Sequence, residues 1–322
     1  MKTFRENIWN DGEYSYEAAY GFEPNIVTIL HDDDEVRPFM LVVPGGGYCM
    51  VVPPEGEVVA KELYERGMNC AVLTYTTDIT MSVPLMHQPM NDISRAVRYI
   101  RRFAARFCAD PGKLVICGFS AGAHVCGSLG VHHAEIKDPD AEYDAISNRP
   151  DGMILSYPVI TSGEFTHIYS MWALLGKDGP KEEYEYFSLE KHVTSDTPPT
   201  FLWQTVEDDL VPVENSMMFA EACRKAGVPY AYYAFPHGWH GLSVHNDAFR
   251  KGEFGEPYTM EQVFKAVDAV REGKGIRVSE QRRAELIEQF SAEPPKMEGE
   301  APKFDDVALW PDLAEAWMKK LW

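Results

Sequence analysis

Leu114-Val115-Ile116-Cys117-Gly118-Phe119-Ser120-Ala121-Gly122 is the stretch on which the fold turns. Its first four residues are apolar and read as a strand. Gly-x-Ser-x-Gly follows at once, and Val125, Leu129 and Val131 then mark a helix. By itself this five-residue pattern arises by chance in roughly one chain of this length in ten. The strand before it and the helix after it give it meaning: a serine on a sharp strand-to-helix turn, its hydroxyl held above a sheet. The glycines let the turn close without Cβ clashes. The helix N-terminus behind the serine favours developing negative charge.

Outward from this point, apolar runs alternate with amphipathic ones. Ile26–Leu30, Phe39–Val43, Cys70–Tyr75, Met153–Tyr157, Phe201–Gln204 and Tyr230–Phe235 read as further strands, the later ones apolar enough to be covered on both faces. An acidic turn, Asp32–Glu35, joins the first two. Helices are predicted at Val58–Arg66, from Asp92 as a cap through Phe107, at Glu214–Lys225 before Gly227, and at Trp310–Leu321 with Leu313, Ala316, Trp317 and Leu321 on one face. The arginines between Arg95 and Arg106 read as a solvated helix face, and Asp110-Pro111-Gly112 as a break. This alternation predicts an α/β fold with a mostly parallel central sheet and helices on both faces. One segment, about 250–304, departs from the rhythm. It is polar, with helical patterns at Glu261–Val270 and Ser279–Phe290 and a linker at Glu293–Lys303. The expected organisation is one domain over residues 1–322, with a core at about 26–245 and 306–322 and this helical insert before the last helix. The insert reads either as a cover for the site or a partner subunit, or as a solvated excursion.

A serine hydroxyl needs a base. After the last strand stands Phe235-Pro236-His237-Gly238-Trp239-His240-Gly241-Leu242, and Gly238 and Gly241 flank a sharp bend at His240, which favours it over His237. A zinc site on the two histidines lacks a third ligand at a recognisable spacing. The orienting acid comes from Glu207-Asp208-Asp209-Leu210-Val211-Pro212, where the Asp-x-x-Val-Pro spacing selects Asp208 over Asp209 and leaves Glu207 to a solvated turn. Pro44-Gly45-Gly46-Gly47-Tyr48 follows the Phe39–Val43 strand. Its backbone N–H groups, with that of Ala121, suit an oxyanion. No Lys-Ser, Lys-Thr or G-x-G-x-x-G accompanies it, which disfavours a phosphate loop. Tyr48 and Trp239 flank the site, either to stack on a sugar ring or as wall residues. His124, His132 and His133 read as packing or helix-surface residues.

Composition narrows the field. With 30 Lys and Arg against 50 Asp and Glu, the 322 residues carry a formal charge of −20, and 45% are apolar. The chain is too apolar for disorder, and its charge opposes nucleic acid and anionic membranes. The first residues lack the apolar core of a signal peptide, and the longest apolar stretch, Phe39–Pro54, is broken by prolines and glycines. The six cysteines form no C-x-x-C pair and read as free, mostly buried thiols of a reducing cytoplasm.

Together, Gly-Gly-Gly-Tyr, Gly-Phe-Ser-Ala-Gly, Asp-Asp-Leu-Val-Pro-Val-Glu-Asn and Trp-His-Gly-Leu resemble the α/β-hydrolase superfamily. Within it they resemble the bacterial esterases related to hormone-sensitive lipase, and most of all their acetylxylan-esterase-like branch. The likeness runs from about Ile26 to His245 and resumes at Trp310–Trp322. It implies Ser120 as nucleophile, His240 as general base, Asp208 as its acid, and Gly46, Gly47 and Ala121 as oxyanion donors. No cofactor or metal is implied. Pro44 stands where many relatives have His, which leaves the backbone donors intact. The resemblance implies hydrolysis of short-chain acyl esters, with acetylated xylo-oligosaccharides as candidate substrates. A peptidase resembling prolyl oligopeptidases and a non-catalytic binding protein are the alternatives, and a homo-oligomer is compatible with either state.

Overall fold

The computed structural model describes residues 1–274, 277–291 and 300–322. Eight strands form one sheet: β1 (Arg5–Asn7), β2 (Asn25–Ile29), β3 (Arg37–Val43), β4 (Asn69–Thr74), β5 (Ala109–Phe119), β6 (Gly152–Ser156), β7 (Thr200–Thr205) and β8 (Tyr230–Phe235). Their order is β1-β2-β4-β3-β5-β6-β7-β8. The β1/β2 and β2/β4 pairs are antiparallel and the others parallel. The acidic turn thus carries the chain past β4, and β2 and β3 are not neighbours. Strands β2, β4, β6 and β7 are buried along their whole length, as a sheet covered on both faces requires. β8 differs from the expected covered strand: it is an edge, and only Phe235 is buried. β1 escapes a periodicity search because Arg-Glu-Asn is wholly polar; it exists through its pairing with Asn25–Val27. β5 begins at Ala109, but Arg37 pairs with Ala109 and Phe39 with Leu114, so Asp110-Pro111-Gly112 is a bulge outside the ladder, after α2 has ended at Arg102.

The longer helices are α1 (Glu57–Glu65), α2 (Gln88–Arg102), α3 (Ala121–His132), α4 (Ile168–Leu175), α5 (Glu214–Ala226), α6 (Glu261–Arg271), α7 (Glu280–Gln289) and α8 (Trp310–Met318). α5 ends on Gly227 in the left-handed region, as its glycine predicts. α2 corrects two expectations. It starts a turn before Asp92, and that carboxylate is buried inside the helix, accepting bonds from Thr76 N, Thr76 Oγ1, Gln88 Nε2 and Trp9 Nε1. Burial pushes its carboxyl pKa up. The arginine face is also not solvated. Arg95 is fully buried, paired with Glu13 and Asp138 and stacked on Tyr143 and Trp9. Arg98 donates to the carbonyls of Ile136 and Ile146, and Arg101 to those of Ser147 and Arg149. Only Arg102 and Arg106 stand at the surface. In α8 the buried residues are Trp310, Pro311, Ala314 and Met318; Leu313, Trp317 and Leu321 pack at the margin and Ala316 is exposed.

In its described residues the insert is packed against the core and not a solvated excursion. Val263, Val267 and Val270 of α6 and Leu286 of α7 bury themselves with Ile79, and Cys49 and Met50 pack against this cluster. Gln262 accepts from Thr77 N at 2.8 Å and Arg282 donates to Ile79 O at 2.7 Å. The helices thus brace the far side of the Gly45–Met50 turn. The expected linker lies outside the described residues up to position 299.

Candidate active site

The C-terminal ends of the parallel strands bring the functional residues together. Ser120 follows β5 directly and has φ 53°, a conformation rarely adopted by a residue with a side chain. Two neighbours hold it there: Ser120 N donates to Ser156 O at 3.0 Å, and Val159 N donates to Ser120 O at 3.2 Å. The flanking glycines are sterically required. A Cβ on Gly118 would lie 2.6 Å from Ala123 Cα, and one on Gly122 2.1 Å from Val43 O.

Ser120 Oγ lies 2.8 Å from His240 Nε2, and His240 Nδ1 lies 2.8 Å from Asp208 Oδ2. The Asp208 side chain is fully buried. Its Oδ1 accepts from Leu210 N and Val211 N, which fixes the carboxylate plane, and its Oδ2 accepts from Gln204 Nε2 at 3.2 Å and faces the imidazole. Asp209 instead accepts the backbone N–H of His240. Glu207 pairs with His237 at the surface, so neither joins the constellation. The bend at His240 forms as its glycines predict: Gly238 has φ 131° and Gly241 φ 87°, and Thr205 Oγ1 ties Gly238 O to the end of β7.

After β3 the chain makes a tight turn in which Gly46, Gly47 and Tyr48 all have positive φ. The N–H groups of Gly46, Gly47 and Ala121 donate to no other group among the described residues, as donors kept for a ligand would. Tyr48 corrects the expectation of a substrate platform. Its ring is 1% exposed, and its hydroxyl lies 2.6 Å from His124 Nδ1. His124 Nε2 faces Phe187 O, which can only accept, so Nε2 carries the proton and Nδ1 accepts from Tyr48. Burial pushes His124 down to about 4, so it is a neutral packing residue. His132 is likewise lowered by burial to about 4, stacked on Tyr186. Trp239 keeps 37% of its surface exposed while its ring rests edge-on against Phe304.

Sequence reasoning passed over three residues here. Glu55 is buried behind the glycine turn and bonded to Gly45 N and Tyr157 Oη. Tyr157 lies edge-on to the His240 ring with centroids 4.9 Å apart. His167, on the loop before α4, bonds Ser170 Oγ at 2.8 Å; burial lowers its pKa, and so does the nearby His240. The only sequence signal for Glu55 was one acid in the apolar run Val51–Gly56.

An eight-stranded, mostly parallel sheet carrying an elbow serine bonded to a histidine and a buried aspartate defines the α/β-hydrolase fold. The chain belongs to the BD-FAE family, whose model matches residues 29–223. It is 59% identical over 270 residues to an endo-1,4-beta-xylanase B of Butyrivibrio fibrisolvens, covering 84% of this chain and 42% of that protein. It is 31% identical over 250 residues to an acetylxylan esterase of Xylanibacter ruminicola, covering 75% of this chain and 46% of the other. The chain thus spans under half the length of these two relatives. Among solved structures it is similar to an acetyl ester-xyloside bifunctional hydrolase from Caldicellulosiruptor lactoaceticus. That match has a TM-score of 0.71 and 34% identity, covering 84% of this chain and 97% of that one. All six cysteines are free, with Cys70, Cys117, Cys126 and Cys223 buried and Cys49 and Cys108 partly so. Among the described residues no helix is long and apolar enough to cross a membrane.

Proposed function

We propose that the chain is a serine carboxylesterase that removes short acyl groups, acetyl above all, from xylo-oligosaccharides. The observation that carries this reading is the continuous chain of 2.8 Å contacts from Ser120 Oγ through His240 to Asp208. In this mechanism Ser120 attacks the ester carbonyl while His240 Nε2 takes its proton. Asp208 holds the tautomer and faces the imidazolium. The N–H groups of Gly46, Gly47 and Ala121 receive the oxyanion. His240 then protonates the leaving alcohol and activates the water that releases the acid. The sugar preference is supported by the names of the relatives, an acetylxylan esterase and an acetyl ester-xyloside hydrolase, and by Trp239, the exposed aromatic beside His240.

Ser120→Ala tests the reaction. It is expected to abolish hydrolysis of p-nitrophenyl acetate while the thermal unfolding transition is kept; retained turnover rejects the assignment. An acyl-chain-length series, followed by acetate release from acetylated xylo-oligosaccharides, tests the substrate. Good turnover of simple esters with no acetate released from sugars rejects the carbohydrate half of the proposal.

A further inference from the structure

Glu55 is 4% exposed and pairs with no Lys or Arg among the described residues. Isolated buried carboxyls are costly, and those that persist in a cleft are candidates for a role in its chemistry. Both of its oxygens are engaged. Oε2 lies 2.7 Å from Gly45 N and Oε1 2.7 Å from Tyr157 Oη. The direction of each bond follows from the partners. A backbone N–H only donates, so Gly45 donates to Oε2. Ser243 N–H donates to Tyr157 Oη at 3.0 Å, so the tyrosine proton is directed to Oε1. Glu55 therefore accepts at both oxygens, the arrangement of a carboxylate. Its pKa stands raised, because burial pushes it up further than the bonds from Tyr157 and Gly45 and the nearby His240 pull it down.

The same atoms connect the two halves of the site. Gly45 precedes the oxyanion donors Gly46 and Gly47. Ser243 lies three residues after His240, and its loop is fastened by Ser243 Oγ to Pro54 O at 2.7 Å and by Trp310 Nε1 to Ser243 O at 2.8 Å. The Tyr157 ring stands between Glu55 and the imidazole. Catalysis by an oxyanion hole depends on the donors and the base keeping one relative geometry, and misplacement by about 1 Å can cost about 100-fold.

We propose that Glu55 is a positioning residue. Through Tyr157 and Ser243 it fastens the oxyanion turn to the histidine loop, and its charge faces the imidazolium formed on His240. The role rests on the ester-hydrolase reading above. The other titratable groups facing His240 are Asp208 at Nδ1, Asp209 at its backbone N–H and His167 across the cleft.

The test is steady-state hydrolysis of p-nitrophenyl acetate from pH 5 to 9 by the wild type, Glu55→Gln and Tyr157→Phe, with folding checked by circular dichroism. Glutamine keeps the shape, but its NH2 must face a donor. The expected result for Glu55→Gln is a kcat lower by about 10- to 100-fold with KM changed less than about threefold. Its acid limb of kcat/KM should move down by about half a pH unit or more, because removing a negative charge disfavours the imidazolium. Tyr157→Phe cuts the link and removes the bond that most lowers the Glu55 pKa, so its kcat should fall by about tenfold, with the acid limb moving down by no more than in Glu55→Gln. A Glu55→Gln variant within twofold of wild type and with an unmoved acid limb overturns the proposal. If that variant does not fold, a Tyr157→Phe kcat within twofold of wild type overturns it instead. A wild type with no turnover overturns the ester reading and this role with it, whereas normal wild-type turnover confines any failure to Glu55.

Discussion

Asp208→Asn probes the site at its most constrained atom. Oδ1 of Asp208 receives two backbone N–H groups, from Leu210 at 3.0 Å and Val211 at 2.8 Å. Only an oxygen can sit there, so the amide NH2 of the variant is directed at His240 Nδ1. The imidazole must then accept at Nδ1 and carry its proton on Nε2, facing Ser120, where it cannot take the serine proton. Flipping the amide would restore the tautomer and the bond from Gln204 Nε2, which donates to Oδ2 at 3.2 Å, but it would give up the two backbone bonds at the other oxygen and set NH2 against two N–H groups. The net cost of about 2 kcal/mol leaves the flipped form at about 3%. With the carboxylate charge also gone, the expected kcat loss on p-nitrophenyl acetate is about 10²- to 10³-fold, with KM little changed. Asp209→Asn serves as the control. Among the described residues its carboxylate accepts only the exposed His240 N–H at 3.1 Å, so its loss should stay under about tenfold. A Asp208→Asn variant within tenfold of wild type, or an Asp209→Asn variant that is the worse of the two, would refute the argument.

Two further outcomes follow from groups around the elbow. His124 is neutral in the fold, lowered to about 4 by burial, so its contribution to stability is present above the ordinary histidine pKa and is lost as pH falls from there toward 4. The loss amounts to about 3 kcal/mol. Urea midpoints between pH 7 and 4.5 should therefore fall more steeply for the wild type than for His124→Gln, and equal slopes would contradict the assignment. Gly122→Ala places a methyl 2.1 Å from Val43 O and 2.4 Å from Pro44 O, both backbone, and should destabilise by more than about 3 kcal/mol. A melting temperature within a degree or two of wild type would show that α3 can retreat from β3.

What the sequence reveals depends on how local the cause is. The elbow was legible because a serine forced to positive φ and two glycines pressed against backbone leave few residue choices, all within five positions. The choice of Asp208 over Asp209 rested on a short spacing and agrees with the observed bond to His240 Nδ1. Arg95 and Arg98 were misread because their partners, Glu13, Asp138 and the carbonyls of Ile136 and Ile146, lie far along the chain; a basic helix face looks solvated until its acids arrive. Tyr48 adjoins the site in sequence, but the turn with φ 63° directs its ring inward to His124. Glu55 was hidden because Pro-Pro-Glu-Gly reads as an ordinary turn, and its two donors come from opposite edges of the cleft.

The bracing of the oxyanion turn by α6 and α7 has a consequence for the protein's birth on the ribosome. Ser120, Asp208 and His240 have all been synthesised once residue 240 has been added, yet Val263, Val267, Val270 and Leu286, which support the turn from behind, are still to come. The bond from Trp310 that fastens the histidine loop comes later still. At about 5–20 residues per second the chain spends several seconds with the proposed reacting side chains made and their supports missing. On the proposed reading, competence as a catalyst should therefore arrive only after Trp310 has been added and not at the appearance of the triad, and loss of Val263, Val267, Val270 or Leu286 would act as an active-site lesion at a distance.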